Sequence, residues 1–175
     1  MDLLRRAAVK LALGEQPTED LPMIAALAVA DGLNSQSLIQ LAGLSRRDPP
    51  ADIRDLFMQT MAELGLSVPD VEEAWRERML EAAEGMLSGS LTHYEASSEI
   101  YWCACHLDRT DTANELVNLF MGLWSNWEDW PDGRPSIERD MQVAAADLLR
   151  SHGKPVPKWA RLHAPPGTEQ ARPAF

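Results

Sequence analysis

Glycine and proline cut this chain into short segments whose apolar residues recur at the helical period, and that punctuation limits the possible folds most. Leu3, Leu4, Ala7, Ala8 and Leu11 share one face over 2–13, and Gly14 ends the segment. Asp20 suits the cap of a second helix and Pro22 its first turn; MIAALAVA follows and stops near Gly32. Asn34 or Ser35 caps a third, carrying Leu38, Ile39, Leu41 and Ala42 and closed by Gly43. Asp48-Pro49-Pro50 opens a fourth, with Ile53, Leu56, Phe57, Met61 and Leu64 inward and Gly65 as its stop.

Pro69 suits the first turn of a fifth helix, whose buried stripe is Val71, Ala74, Trp75, Met79, Ala82, Ala83 and Met86, with Gly89 past its end. Thr92-His93-Tyr94-Glu95 fits a capping box, in which hydroxyl and carboxylate satisfy each other's free backbone N–H groups. A seventh helix starts near Thr112 and an eighth at Pro135-Ser136, carrying Ile137, Met141, Ala144, Ala145, Leu148 and Leu149 and ending at Gly153. β-Branched residues are few and alternation is absent, so no strand is predicted. The expected fold is all-α: a compact bundle of about eight short helices over 1–153, and a Pro-rich basic tail over 154–175. A chain of 175 residues can bury a core as one domain.

No apolar run approaches the ~18 residues of a membrane span. MDLLRRAAVKLALGEQ reads as an amphipathic first helix and not as a signal peptide, so a cytoplasmic protein is expected. Two cysteines, Cys103 and Cys105, are too few and too close for a disulfide framework.

Charge is unevenly spread. Residues 15–149 hold 25 acids against 8 Lys and Arg, giving −17, while 150–175 carry +4 from Arg150, Lys154, Lys158, Arg161 and Arg172 against Glu169. Such an acidic body repels nucleic acid and anionic lipid and attracts a basic partner. The basic tail is too sparse for a nucleic-acid site and is expected to lie on the acidic body or to be disordered.

The segment GLWSNWEDWPDG, 122–133, holds three of the six tryptophans among three acids. At 100° per residue Leu116, Leu119, Phe120, Leu123, Trp127 and Trp130 fall on one apolar arc, and Trp124 on its edge. Pro131 ends the helix near Asp129. Trp127 is therefore expected in the core, Trp130 as a cap over the helix end, and Trp124 half exposed. Tryptophan is favoured at binding hot spots, because it combines a large buried area with one N–H donor.

YWCACH, 101–106, brings Cys, Cys and His together, but on a helix Cys103 and Cys105 point about 200° apart and cannot share one metal. Cys103 falls on the apolar face with Ala96, Ile100, Ala104 and Leu107; Cys105 falls near Tyr94 and Tyr101. Neither CxxC nor HxxxH spacing occurs, so no metal or cofactor is predicted. Nor does Glu-x-x-His, which a di-metal bundle needs. Glu73, Glu77 and Glu81, interleaved with Arg76 and Arg78, read as a solvated face, as do Glu95 and Glu99. GxGxxG, the phosphate-loop lysine motif, GxSxG and HExxH are all absent, and no catalytic residue is assigned.

ADGLNSQSLIQLAGL (30–44), DLFMQTMAELGL (55–66) and SGSLTHYEASSEIYW (88–102) resemble, in cadence, small helical proteins of bacteria that have no established activity. The chain departs from their pattern at Thr92-His93, where Ser-Pro is expected, and at Ser97. The resemblance implies a bacterial cytoplasmic protein, of a kind often found as immunity or accessory proteins; it carries no catalytic residue across.

The sequence therefore predicts a protein–protein interaction module that docks a basic partner through Trp124, Glu128, Asp129 and Trp130, with Trp102 and Glu99 next. Two alternatives stand beside it. One is a helical metal-binding protein or enzyme using Glu95, Glu99, Cys105 and His106. The other is a structural homodimer that buries its extra tryptophans against itself.

Overall fold

The structure is a computed structural model that describes residues 2–108 and 110–158, so the predicted tail lies outside them from residue 159 onward. Among the described residues there are eight α-helices and no strand. They are α1 (Asp2–Ala12), α2 (Leu21–Ala30), α3 (Gln36–Ala42), α4 (Pro50–Glu63), α5 (Val71–Ser88), α6 (His93–His106), α7 (Asp111–Asp129) and α8 (Arg134–Ser151). Single 3-10 turns precede α2 (Thr18–Asp20) and α8 (Pro131–Gly133). No helix among the described residues is long and apolar enough to cross a membrane. Backbone contacts group the chain into two units, Met1–Glu77 and Arg78–Phe175, with α5 running through the division.

In the first unit, α1–α4 enclose one core. Its fully buried large side chains are Leu4, Leu21, Leu38, Leu41, Ile53, Phe57 and Met61, all at positions the helical period turns inward. Ser35 caps α3 by accepting the Leu38 N–H at 3.2 Å. The buried Ser37 donates its backbone N–H and its hydroxyl to the two oxygens of Glu63, at 2.9 and 2.6 Å, tying the start of α3 to the end of α4.

Three expectations need correction. Asp20 is already helical in backbone (φ −89, ψ −15) and makes no side-chain cap; its carboxylate pairs with Arg46 instead. The fourth helix does open at Asp48-Pro49-Pro50, where Asp48 closes a local turn by accepting the Ser45 N–H at 2.6 Å and hydroxyl at 2.9 Å. Pro69 precedes α5 altogether, because Asp70 and Glu73 form a reciprocal box: the Asp70 carboxylate accepts the Glu73 N–H at 2.8 Å and Glu73 accepts the Asp70 N–H at 3.2 Å. Val71 consequently stands in the first turn of α5, 57% exposed and outside the buried stripe.

In the second unit, α6 packs along α7, and α8 packs against both. Ile100 and Cys103 of α6, Phe120 of α7, and Met141 and Leu149 of α8 are buried there. The turn from α5 to α6 runs through Gly89 at φ +78, a left-handed conformation that a Cβ would strain. Leu91 then folds back, its N–H donating to the Gly85 carbonyl at 3.1 Å and its side chain lying where a Cβ on Gly85 would project.

Candidate functional site: an aromatic row and an adjoining cleft

All the features of the site belong to the second unit. Its anchor is the start of α6. The expected capping box is present: Thr92 Oγ1 accepts the Glu95 N–H at 3.2 Å, and Glu95 Oε2 accepts the Thr92 N–H at 3.0 Å and hydroxyl at 2.7 Å. The Thr92 hydroxyl, then its N–H, hold the Glu95 carboxyl below the usual carboxylate range. With the first turn of α6 fixed, Tyr94 and Tyr101 emerge seven residues apart on one face, toward α7.

There they meet the tryptophans. Ring centroids lie 5.2 Å apart for Trp102 and Tyr101, 5.9 Å for Tyr101 and Trp124, 5.9 Å for Trp124 and Tyr94, and 5.1 Å for Tyr94 and Trp127. Five rings thus form a continuous row across α6 and α7, all within the distances at which aromatic pairs attract. Polar groups fix its end. Tyr94 donates its hydroxyl to Glu128 at 2.8 Å, Trp127 Nε1 donates to Glu138 of α8 at 3.0 Å, and the Arg134 guanidinium lies 3.8 Å over the Trp127 ring.

The predicted residues divide accordingly. Trp102, Trp124 and Glu128 are joined through the row. Trp124 is half-buried, as expected, and its indole N–H is buried without an acceptor among the described residues. Trp127 is also only half-buried; it bridges α7 and α8 through its N–H and its ring face and is not a core residue. Trp130 lies against Gly133 in the 3-10 turn beyond the helix, where a Cβ would come within 2.3 Å of its ring, yet 60% of it is exposed. Trp102 is 53% exposed. Asp129 is exposed at the end of α7. Glu99 faces elsewhere and pairs with Arg78 of α5, so it belongs to a bound ion pair and not to a solvated acidic face.

The Glu95, Glu99, Cys105 and His106 set does not converge. Glu95 is held in the capping box and Glu99 by Arg78, while His106 Nδ1 lies 2.8 Å from the Trp102 carbonyl. Hydrogen bonding with Cys105, reinforced by charge interaction and burial, raises the Tyr101 hydroxyl above its ordinary range. Among the described residues no three His, Cys, Asp or Glu side chains are placed to hold a metal ion.

Beside the row opens a cleft of about 890 Å³, formed by the end of α5, the turn, the start of α6, Trp127, and Glu138 and Gln142 of α8. His93 sits across it from α8. The Gln142 amide donates to His93 Nε2 at 2.8 Å, which places the imidazole proton on Nδ1, 3.8 Å from Glu138 Oε2. Sequence reasoning missed His93, Glu138, Gln142 and Arg134 as site residues. Only the pairing of helices brings them together, whereas the seven-residue spacing of the two tyrosines was available in the sequence.

Compared with known proteins, the chain matches no family model, no curated protein and no solved structure.

Proposed function

We propose that this chain is an acidic helical module that binds another protein, a basic one, through exposed aromatic and acidic side chains of α6 and of the end of α7. The observation that carries the reading is the exposure of Trp102 and Trp130, each more than half open to solvent. Folding leaves two indoles uncovered, and exposed tryptophans are the side chains that most often dominate a binding interface. Asp129 lies beside Trp130, and the charge of −17 over residues 15–149 favours encounter with a positive surface. Trp102, Asp129 and Trp130 carry the most weight in this reading, since Glu99 is engaged by Arg78 and Trp124 lies inside the row. An immunity or accessory protein that covers a basic toxin domain is its concrete form.

The test is capture of the tagged full-length chain from its source cells at low salt, followed by native mass spectrometry. A stoichiometric basic protein is expected. Its affinity should fall roughly 30-fold or more in Trp102→Ala or Trp130→Ala, as for a hot-spot residue, and weaken as salt is raised. A chain that emerges only as a bare homodimer, or with a fixed small mass and no protein, overturns the reading.

A further inference from the structure

We infer that the cleft beside the aromatic row is a binding site for an organic cation: a protonated amine or guanidinium carried on a short apolar or aromatic body. The inference goes beyond the protein-binding proposal and does not depend on it.

Size admits a small ligand, since about 890 Å³ falls within the range of small-molecule sites. The walls select for an apolar body: Met86, Leu87 and Leu91 line one part, and the rings of Tyr94 and Trp127, tilted by 49°, form a corner. Electrostatics select the sign. Glu95 and Glu138 line the cleft, and no lysine or arginine does among the described residues. The α6 N-terminus, which otherwise attracts anions, is already answered by the carboxylate of Glu95. An incoming anion would therefore meet two carboxylates and, among the described residues, no lysine or arginine to balance them.

A cation meets the reverse. Glu138 uses Oε1 to hold Trp127, and its Oε2 is 3.8 Å from the nearest ring nitrogen of His93, beyond hydrogen-bond reach. That oxygen is the acceptor for an ammonium or guanidinium group. The indole of Trp127 already attracts one cation, Arg134, which does not line the cleft. Gln142 fixes the His93 ring, so the acceptor, the rings and the imidazole are in place before a ligand arrives.

The test uses the full-length chain, 15N-labelled, and reads the indole N–H resonance of Trp127, assigned by comparison with Trp127→Phe. The probes are phenethylammonium and acetyl-arginine methylamide, with phenylpropionate as the matched anion and phenylethanol as the neutral body. Saturable shifts with a Kd of roughly 1 mM or tighter are expected for one or both cations. A stronger response to phenethylammonium points to a free amine, and a stronger response to the arginine derivative to a side chain of a polypeptide; both support the site. Glu138→Gln, nearly isosteric and still able to accept from Trp127, should weaken cation binding about tenfold while leaving the other indole resonances in place. No saturation at roughly tenfold higher concentration, or an equal response to phenylpropionate or phenylethanol, overturns the inference. So does unchanged cation affinity in a folded Glu138→Gln protein.

Discussion

Trp127 and Glu138 are joined by one hydrogen bond, 3.0 Å from indole Nε1 to carboxylate Oε1, and it ties the end of α7 to α8. Arg134 adds to the same join: its guanidinium lies over the Trp127 ring and its Nε donates to the Trp127 carbonyl at 3.1 Å. One tryptophan thus meets α8 through its N–H, its ring face and its backbone. Trp127→Phe keeps a ring but removes the donor. Stability should fall by about 1.5–3 kcal/mol, the usual contribution of a hydrogen bond to a charged group. Glu138→Gln, which retains an acceptor, should cost less. Urea midpoints at unchanged slope would measure both, and equal losses would mean that the N–H···O bond contributes nothing specific.

The start of α6 supports a second prediction. Thr92→Ala removes the hydroxyl that accepts the Glu95 N–H and leaves an uncapped first turn, at a cost of about 1 kcal/mol. Thr92→Ser should restore most of it. Tyr94 projects from that turn, so Thr92→Ala should also disturb the Tyr94 contacts with Trp124 and Trp127, visible in the near-ultraviolet circular dichroism. A stability loss with an unchanged aromatic spectrum would show that the row does not depend on the cap.

What the sequence revealed, and what it withheld, follows from the range of the interactions. Ser35, the Thr92–Glu95 box and the glycine stops act within a few residues, and their chemistry can be read from spacing alone. Cys103 and Phe57 were recognisable as core because their helical faces are apolar. Errors arose where a residue had two local options or a distant partner. Asp20 fits a cap by type, but a 3-10 turn already occupies its backbone and Arg46, 26 residues away, takes its carboxylate. Glu99 looked solvated until α5 supplied Arg78, and Trp127 looked like core because periodicity gives a face and not what covers it. The cleft lies wholly in this second class: His93, Trp127, Glu138 and Gln142 come from three helices.

The Ser37–Glu63 link predicts an acid limb in stability. The Ser37 hydroxyl, then its backbone N–H, hold the Glu63 carboxyl below its ordinary value of about 4.3. A depressed folded pKa means that the unfolded chain takes up the proton first. The stabilisation is therefore complete above the unfolded value and is lost as pH falls through the folded one. Glu95 with Thr92 and Asp48 with Ser45 shift in the same direction and steepen the same limb. Ser37→Ala should lower stability at neutral pH and narrow the gap to wild type as the medium is acidified below about pH 4. Urea midpoints measured from pH 7 to pH 3 would check this. A gap that is constant with pH would show that Ser37 acts through packing and not through the Glu63 carboxylate.

The two cysteines lie two residues apart in α6 and should differ sharply in reactivity. Cys103 is fully buried on the apolar face, while Cys105 is exposed on the side that carries Tyr101. Attack on a disulfide reagent needs a thiolate that the reagent can reach, and only Cys105 offers an open path. In the native protein one thiol per chain should react within minutes with a bulky aromatic disulfide, and the second only after denaturant is added. Cys105→Ser should abolish the fast phase and Cys103→Ala should leave it. Because Cys105 lies close enough to Tyr101 to raise its hydroxyl, and Tyr101 touches both Trp102 and Trp124, labelling should also quench part of the tryptophan fluorescence. Two fast thiols would mean that α6 opens on the labelling timescale. A single fast thiol with unchanged fluorescence would separate Cys105 from the aromatic row.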